Sequence, residues 1–364
     1  MNLNTFEPGK EWPDNNGMAI NAHGGGILLH EGTYYWYGEH KIEGEAGNRA
    51  HVGVHCYAST DLYNWRDEGI ALAVSDEPGH DIEKDCILER PKVVFNTSTG
   101  KFVMWFHLEK KGCSYDHAGS GVAVADCPTG PFEYRHSFRP NAGAYPRNDC
   151  EKLHRPGLVD GGFTGDTPQP RINVAKSNVF ARDLEGGQMA RDMTLFVDDD
   201  GTAYQIYSSE ENSTLHISQL SDDYLHSAGN FIRVFENRYM EAPAIFKRDG
   251  YYYLIASGCT SWDPNAARCA IADNIMGPWH EWENPCRGVN PQNGFGPDKT
   301  FGGQSTFVLP VQGMDDAFIA LFDIWRPENA IDGRYIWLPI EFNADRSFNI
   351  HWNDAWDLSI FKQA

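Results

Sequence analysis

Glu241-Ala-Pro-Ala-Ile-Phe-Lys-Arg-Asp-Gly250-Tyr-Tyr-Tyr-Leu254 decides the fold, because the same order of residue types stands at four other places in the 364-residue chain. The order is a polar residue, three spacers, an apolar β-rich run, a Gly turn and a second run rich in aromatics. Two further copies run from His23-Gly-Gly-Gly-Ile27 through Gly32 to Tyr34-Tyr35-Trp36-Tyr37 and from Glu89-Arg-Pro-Lys-Val93 through Gly100 to Phe102-Val103-Met104-Trp105. The last two run from Asp192-Met-Thr-Leu-Phe196 through Gly201 to Tyr204-Gln205-Ile206-Tyr207 and from Gln304-Ser-Thr-Phe-Val308 through Gly313 to Ala317-Phe318-Ile319-Ala320. In four copies the Gly follows the polar residue by nine positions and in the second by eleven, a spacing too regular for unrelated hairpins.

A third strand recurs behind these pairs and ends in an Asp-containing turn before an aromatic. Cys56-Tyr57-Ala58 leads to Asp61 and Trp65, Val122-Ala123-Val124 to Asp126 and Phe132, and Cys269-Ala270-Ile271 to Asp273 and Trp279. Strands joined by Gly, Asn and Asp turns are hairpins, and meanders of three or four strands repeated along a chain are propeller blades. The repeats therefore predict an all-β chain, a five-bladed β-propeller occupying residues 1–364 as a single domain. An irregular Pro-, Gly- and Asp-rich stretch at about 140–187 interrupts the series and reads as an insertion forming one wall of a pocket.

Composition narrows the partners. The formal net charge is -21, from 30 Lys+Arg against 51 Asp+Glu. Such a field repels nucleic acid and anionic membrane surfaces and is compatible with a neutral oligosaccharide or polysaccharide. No apolar run reaches the roughly 18 residues of a membrane span. Met1–Asn16 has neither the cationic nor the apolar region of a secretory signal. A cytoplasmic location is expected for the chain as it stands, and a periplasmic or secreted one if a leader had been removed. The eight cysteines include no Cys-x-x-Cys pair and read as buried reduced thiols.

In a propeller the first strand of each blade lines the central channel, so the polar residues that open the repeats form a ring: His23, Glu89, Asp192, Glu241 and Gln304. Gathering three carboxyls there costs free energy and pushes some of them toward the protonated form, which a purely structural ring would avoid. Glycoside cleavage uses that situation. One carboxyl must hold a proton for the leaving oxygen, while for inversion a second group activates water on the opposite face of the sugar, roughly 6.5–9.5 Å away.

Asp192-Met-Thr-Leu-Phe-Val-Asp-Asp-Asp-Gly201 and Glu241-Ala-Pro-Ala-Ile-Phe246 resemble the third- and fourth-blade motifs of glycoside hydrolase family 43, and the likeness extends over essentially the whole chain. The resemblance implies a five-bladed propeller and inversion at the anomeric carbon, with Glu241 as general acid and Asp192 tuning that acid and orienting the sugar. The family's usual base, an Asp opening the first blade, is replaced by His23. His23-Gly-Gly-Gly26, Glu89-Arg-Pro-Lys92, Gln188-Met-Ala-Arg-Asp192, Ser257-Gly-Cys-Thr260 and Gly303-Gln-Ser-Thr306 are similar to the exo-β-1,3-galactosidase branch. There a second-blade Glu and a fifth-blade Gln stand near the water, which implies Glu89 and Gln304 here. A neutral amide is a poor base, so Gln304 positions water or acts through an imidic tautomer, whereas Glu89 is the better base on chemical grounds.

Position after inner strands places Glu39, Glu211, Asn212, Thr260 and Trp262 near the same mouth as substrate-binding candidates, together with His23. Tyr115 joins them from the resemblance. The chemistry requires no cofactor, and a calcium ion near the axis is compatible with the oxygen ligands available. The expected activity is inverting exo-hydrolysis of arabinogalactan-type glycans, releasing galactose from β-1,3-linked chains. An α-L-arabinofuranosidase or β-D-galactofuranosidase would use the same propeller. A non-catalytic glycan-binding propeller would have no reason to keep a proton donor beside a carboxylate.

Overall fold

Every repeat folds as the inner hairpin of a blade in the computed structural model, which describes residues 3–155 and 178–362. Blade 1 is the antiparallel meander His23–His30, Thr33–His40, Gly53–Ser59 and Arg66–Ala73. Blade 2 is Ile87–Asn96, Lys101–Glu109, Gly119–Ala125 and Glu133–Phe138, and blade 3 is Met193–Val197, Ala203–Ser209, Thr214–Leu220 and Ser227–Val234. Blade 4 comprises Met240–Arg248, Tyr251–Gly258, Arg268–Ala272 and His280–Trp282. Blade 5 comprises Gln304–Pro310, Phe318–Ile324, Arg334–Phe342 and Phe348–His351, with Cys286–Arg287 added in parallel to its last strand. Each inner strand packs on the next and that of blade 5 returns to that of blade 1, closing the circle. Outside it, Phe6 pairs with Trp356 and stacks on its ring at 4.4 Å.

Both faces of each sheet are covered, which explains why the strands read as nearly continuous apolar runs. Along Lys101–Glu109, Met104 and Phe106 enter the core shared with blade 1, beside Tyr37 and Val54, while Val103 and Trp105 enter the core shared with blade 3, beside Leu195 and Tyr207. The period of two thus alternates between neighbouring interfaces rather than between core and solvent. Five such cores, one per interface, hold the ring together. Each fully buried large aliphatic or Phe side chain contributes about 1.5–3 kcal/mol.

A shared irregularity opens blades 1, 2 and 4. Strand register shifts between His23 and Gly26, Glu89 and Lys92, and Glu241 and Ala244, and the residue after each polar residue is left-handed: Gly24 at φ 61, Arg90 at 57 and Ala242 at 51. Such bulges bend the strand and re-aim side chains at a sheet end. In blade 1 only Gly fits, because a Cβ at Gly24 would lie 2.3 Å from Glu39 Oε1.

For the insertion, residues 156–177 lie outside the described residues. Its flanks pack on blade 3: Phe180 stacks on Phe231, and the side-chain amide of Asn148 donates to the Arg233 carbonyl at 2.7 Å. All eight cysteines are free, but the expectation of uniform burial fails, since Cys127 and Cys150 are exposed in turns and Cys113 and Cys259 are half-buried.

Candidate active site

Glu241 stands at the bulge of blade 4. Its Oε1 accepts from Asn212 Nδ2 at 2.7 Å and from the Cys259 thiol at 3.2 Å. Burial, and next the charge of Asp192, push its carboxyl up to about 7, against smaller opposing effects of the Cys259 hydrogen bond, Arg90 and Arg191. With Oε1 occupied by two donors, a proton on this carboxyl belongs on Oε2. Asn212 reaches Glu241 because Glu210, Glu211 and Asn212 are all left-handed, a tight loop tied down by Arg191 and Arg182.

Asp192 closes blade 3 onto its neighbours. Oδ2 accepts from Arg90 Nη2 and from the Ala242 amide, both at 3.0 Å. Arg90 is the hub of the ring: its amide donates to Glu39 Oε1 at 3.0 Å, its guanidinium also donates to Gln304 Oε1 at 2.6 Å and the Ser305 carbonyl at 3.3 Å, and it lies 5.2 Å over the Trp325 ring. Gln304 Oε1 further accepts from Trp325 Nε1 at 2.8 Å, and Nε2 donates to Ser257 Oγ at 2.9 Å. Two obligate donors on the oxygen fix the ordinary amide, so the imidic tautomer has no support here.

Glu89 opens blade 2 and is held quite differently from Glu241. Tyr115 donates to Oε1 at 3.0 Å and His107 Nδ1 meets Oε2 at 3.0 Å, while His107 Nε2 meets Glu109 Oε1 at 2.9 Å. Burial alone would raise the Glu89 carboxyl. The hydrogen bond and charge of His107, with Lys41 and Arg90, outweigh it and hold the group down at about 2. For His107, burial opposes the charge, but the two carboxylates lift it to about 9. Ligand atoms of Glu89, His107 and Asp192 lie within 4.8 Å of one another, and both His107 nitrogens face carboxylate oxygens.

The structure thus bonds Glu241 directly to Asn212 and Glu89 directly to Tyr115, and joins Asp192 to Gln304 through Arg90. Trp262, 41 % exposed, meets Trp325 edge-on at 5.9 Å beside a cleft that Gln304 and Ser257 also line. Four candidates are placed otherwise. His23 shows none of its surface, because its ring is stacked on Tyr335 and covered by Gly333, where a Cβ would come within 2.5 Å; burial, then Lys41, hold it neutral with a value of about 3. Glu39 is buried under the ring in an ion pair with Lys41 at 2.6 Å. Glu211 is spent on Arg182 and Arg191, and the Thr260 hydroxyl on its own turn, donating to the Asp263 carbonyl. The sequence reading did not single out Arg90, Trp325, Cys259, His107 or Glu109. The alternation of His107 and Glu109 on the strand that pairs with Glu89 was the available signal.

Residues 174–303 match the pattern of the family described as Glycosyl hydrolases family 43. Among solved structures, the chain is similar to a β-1,3-galactosidase of that family bound to galactodeoxynojirimycin, at 50% identity and a TM-score of 0.87 over 97% of this chain and 100% of the other. An exo-β-1,3-galactanase from Clostridium thermocellum is 34% identical, with a TM-score of 0.76 over 96% of this chain and 66% of that one. An exo-β-1,3-galactanase from Phanerochaete chrysosporium, crystallised with β-1,3-galactotriose, is 30% identical, with a TM-score of 0.76 over 98% and 68% of the two chains. Comparison with curated proteins returns no match.

Proposed function

Because the chain belongs to glycoside hydrolase family 43, we propose that it is an inverting exo-hydrolase that releases galactose from β-1,3-galactan, with Glu241 as acid and Glu89 as base. One observation carries the assignment of roles: two carboxyls of the same ring are pushed in opposite directions, Glu241 up to about 7 by burial and Asp192, and Glu89 down to about 2 by its bond to His107, against burial. Environments that drive paired carboxyls apart mark the acid and the base. The galactose specificity is supported by the galactosidase and the two galactanases above, which the chain matches over nearly its whole length.

In this reading Glu241 protonates the glycosidic oxygen through Oε2, while Asn212 and Cys259 hold Oε1. A water on the far face attacks the anomeric carbon as the C–O bond breaks. As it bonds, that water gains positive charge and becomes acidic, so even a weakly basic carboxylate such as Glu89 takes its proton. Gln304, fixed by Arg90 and Trp325, has one N–H left over from its bond to Ser257 and uses it to orient the water or a sugar hydroxyl. Asp192 raises the acid and accepts from a sugar hydroxyl. Trp262 and Trp325 supply aromatic faces for the ring.

Incubation with β-1,3-galactan, with proton NMR of the sugar first released, tests the whole reading. Galactose appearing as the α-anomer is expected. Galactose released as the β-anomer, or hydrolysis confined to α-arabinofuranosides or β-galactofuranosides, would overturn it.

A further inference from the structure

Behind Glu89 lies a buried pair of ionisable groups that the chemistry above does not use. Glu109 is wholly buried, with Oε1 on His107 Nε2 and Oε2 accepting from the Ala118 amide at 2.9 Å. His107, 1% exposed, is held between two carboxylates with a bond on each ring nitrogen, and donates at both only as an imidazolium. We infer that Glu109 and His107 form a built-in counter-ion that keeps Glu89 ionised beside Asp192, making both positioning residues for the base. The inference rests on the reading of Glu89 as base.

The need for such a device follows from the ring itself. Oxygens of Glu89 and Asp192 lie within 4.8 Å of each other, close enough for the charge of one to disfavour ionisation of the other. Arg90 Nη2 bonds only the Asp192 side of that pair. On the Glu89 side the neutralising charge comes from His107, which, being buried, in turn needs Glu109 to stay charged. Other groups facing this unit are Tyr115, whose hydroxyl bonds Glu89; Lys41 and Arg90, whose charges act on Glu89; and His117, which lies within electrostatic reach of Glu109. Opposite His107 on the adjoining strand is Ser120, whose hydroxyl is taken by Gln205 of blade 3. His107 bonds both carboxylates, donating to Glu89 and to Glu109, and its bond to Glu109 is its second anchor.

The test compares His107→Asn, which keeps a donor toward Glu89 without the charge, and Glu109→Gln, which keeps the volume, with the unaltered enzyme. The readout is kcat/KM against pH from 3.5 to 8 on an aryl β-galactoside, with thermal unfolding followed at each pH. The unaltered enzyme should keep its activity down to about pH 4, whereas in the variants an acid limb should enter at about pH 4–6, in or above the ordinary carboxyl range. At pH 4.5 the variants should then run several-fold below their own plateau at pH 6.5. Acid limbs that coincide in all three proteins would overturn the inference, since lost packing lowers a profile without moving its limb. Nitrogen NMR of labelled histidine in the unaltered enzyme decides the charge independently of variant folding: His107 should remain imidazolium to about pH 8, and a neutral ring at pH 7 would refute it. Absence of any β-galactosidase activity in the unaltered enzyme would sink the functional reading instead, and the histidine signal would still report the charge.

Discussion

Replacing Asp192 with Asn should move the high-pH limb of kcat/KM to lower pH, because after burial the charge of Asp192 is the next cause of the raised Glu241 carboxyl. The carboxyl of Glu241 is raised from 4.5 to about 7, first by burial and then by Asp192. At 1.36 kcal/mol per pH unit this corresponds to about 3 kcal/mol in favour of the protonated acid. In populations, at pH 6 the group is protonated roughly ten to one, where an ordinary glutamate would be ionised roughly thirty to one. Asn removes the neighbouring negative charge and also releases Arg90 from its 3.0 Å pairing, so that its charge acts more strongly on Glu241. Both changes lower the acid, while burial, the largest cause, persists, so the limb should fall by about one unit, to near pH 6. Above the limb each further pH unit costs tenfold in rate. Phenyl β-galactoside, whose leaving group needs the proton, assayed from pH 5 to 9 reads the limb directly. The height of the profile will also fall, since Asp192 orients substrate, so only the position of the limb bears on the argument. A limb that stays near pH 7, or climbs, would refute it.

Glu241→Gln should cost roughly 10²–10⁴-fold on galactan and far less on an aryl galactoside with a good leaving group, because only the first needs a proton; equal losses on both would remove Glu241 from the acid's role. Glu89→Gln should be rescued by azide with formation of α-galactosyl azide, while Gln304→Ala should not be; the reverse pattern, followed by product NMR, would make the amide rather than Glu89 the partner of the water. Two residues before Asn212, Glu210 accepts a two-pronged ion pair from Arg233 at 2.5 and 2.7 Å and a bond from His216 at 2.8 Å. Burial raises its carboxyl, but these partners win and hold it at about 2. Its stabilisation is therefore present above about pH 4.5 and lost as pH falls toward 2. Glu210→Gln should destabilise the protein by about 3–5 kcal/mol at pH 7, and the gap in Tm to the unaltered chain should narrow below pH 4; a gap independent of pH would contradict the assignment.

The blades were legible because their signal is repetition, which needs no knowledge of contacts. Glu241, Asp192, Glu89 and Gln304 were legible for the same reason, each standing at the same point of its repeat. His23 shows where repetition misleads. It opens its repeat as Glu89 and Glu241 do, with the same left-handed residue after it, but its ring turns beneath Gly333 and Tyr335, and the space it enters is created by a glycine about 310 positions away in the chain. Arg90 was hidden for a related reason. Simple alternation puts it on the opposite side of the strand from Glu89, and only the bulge at that point lets one strand send a carboxylate and a guanidinium into the same ring. Cys259 and Trp325 follow second strands of blades, where the chain leaves its regular pattern and the sequence shows no period. Glu39 and Glu211 were found as carboxyls near the mouth, but their ion pairs with Lys41, Arg182 and Arg191 depend on folding.

Arg90 belongs to blade 2, yet its bonds end on Glu39 in blade 1, Asp192 ahead of blade 3, and Gln304 and Ser305 in blade 5. Asp192 and Gln304 in turn reach the Ala242 amide and Ser257 of blade 4. No subset of blades holds a smaller version of this arrangement. Turnover is consequently an all-or-none gauge of assembly: a chain divided in a surface turn between blades 2 and 3 would give two silent fragments, and signal would return only when the two halves found each other and the circle shut.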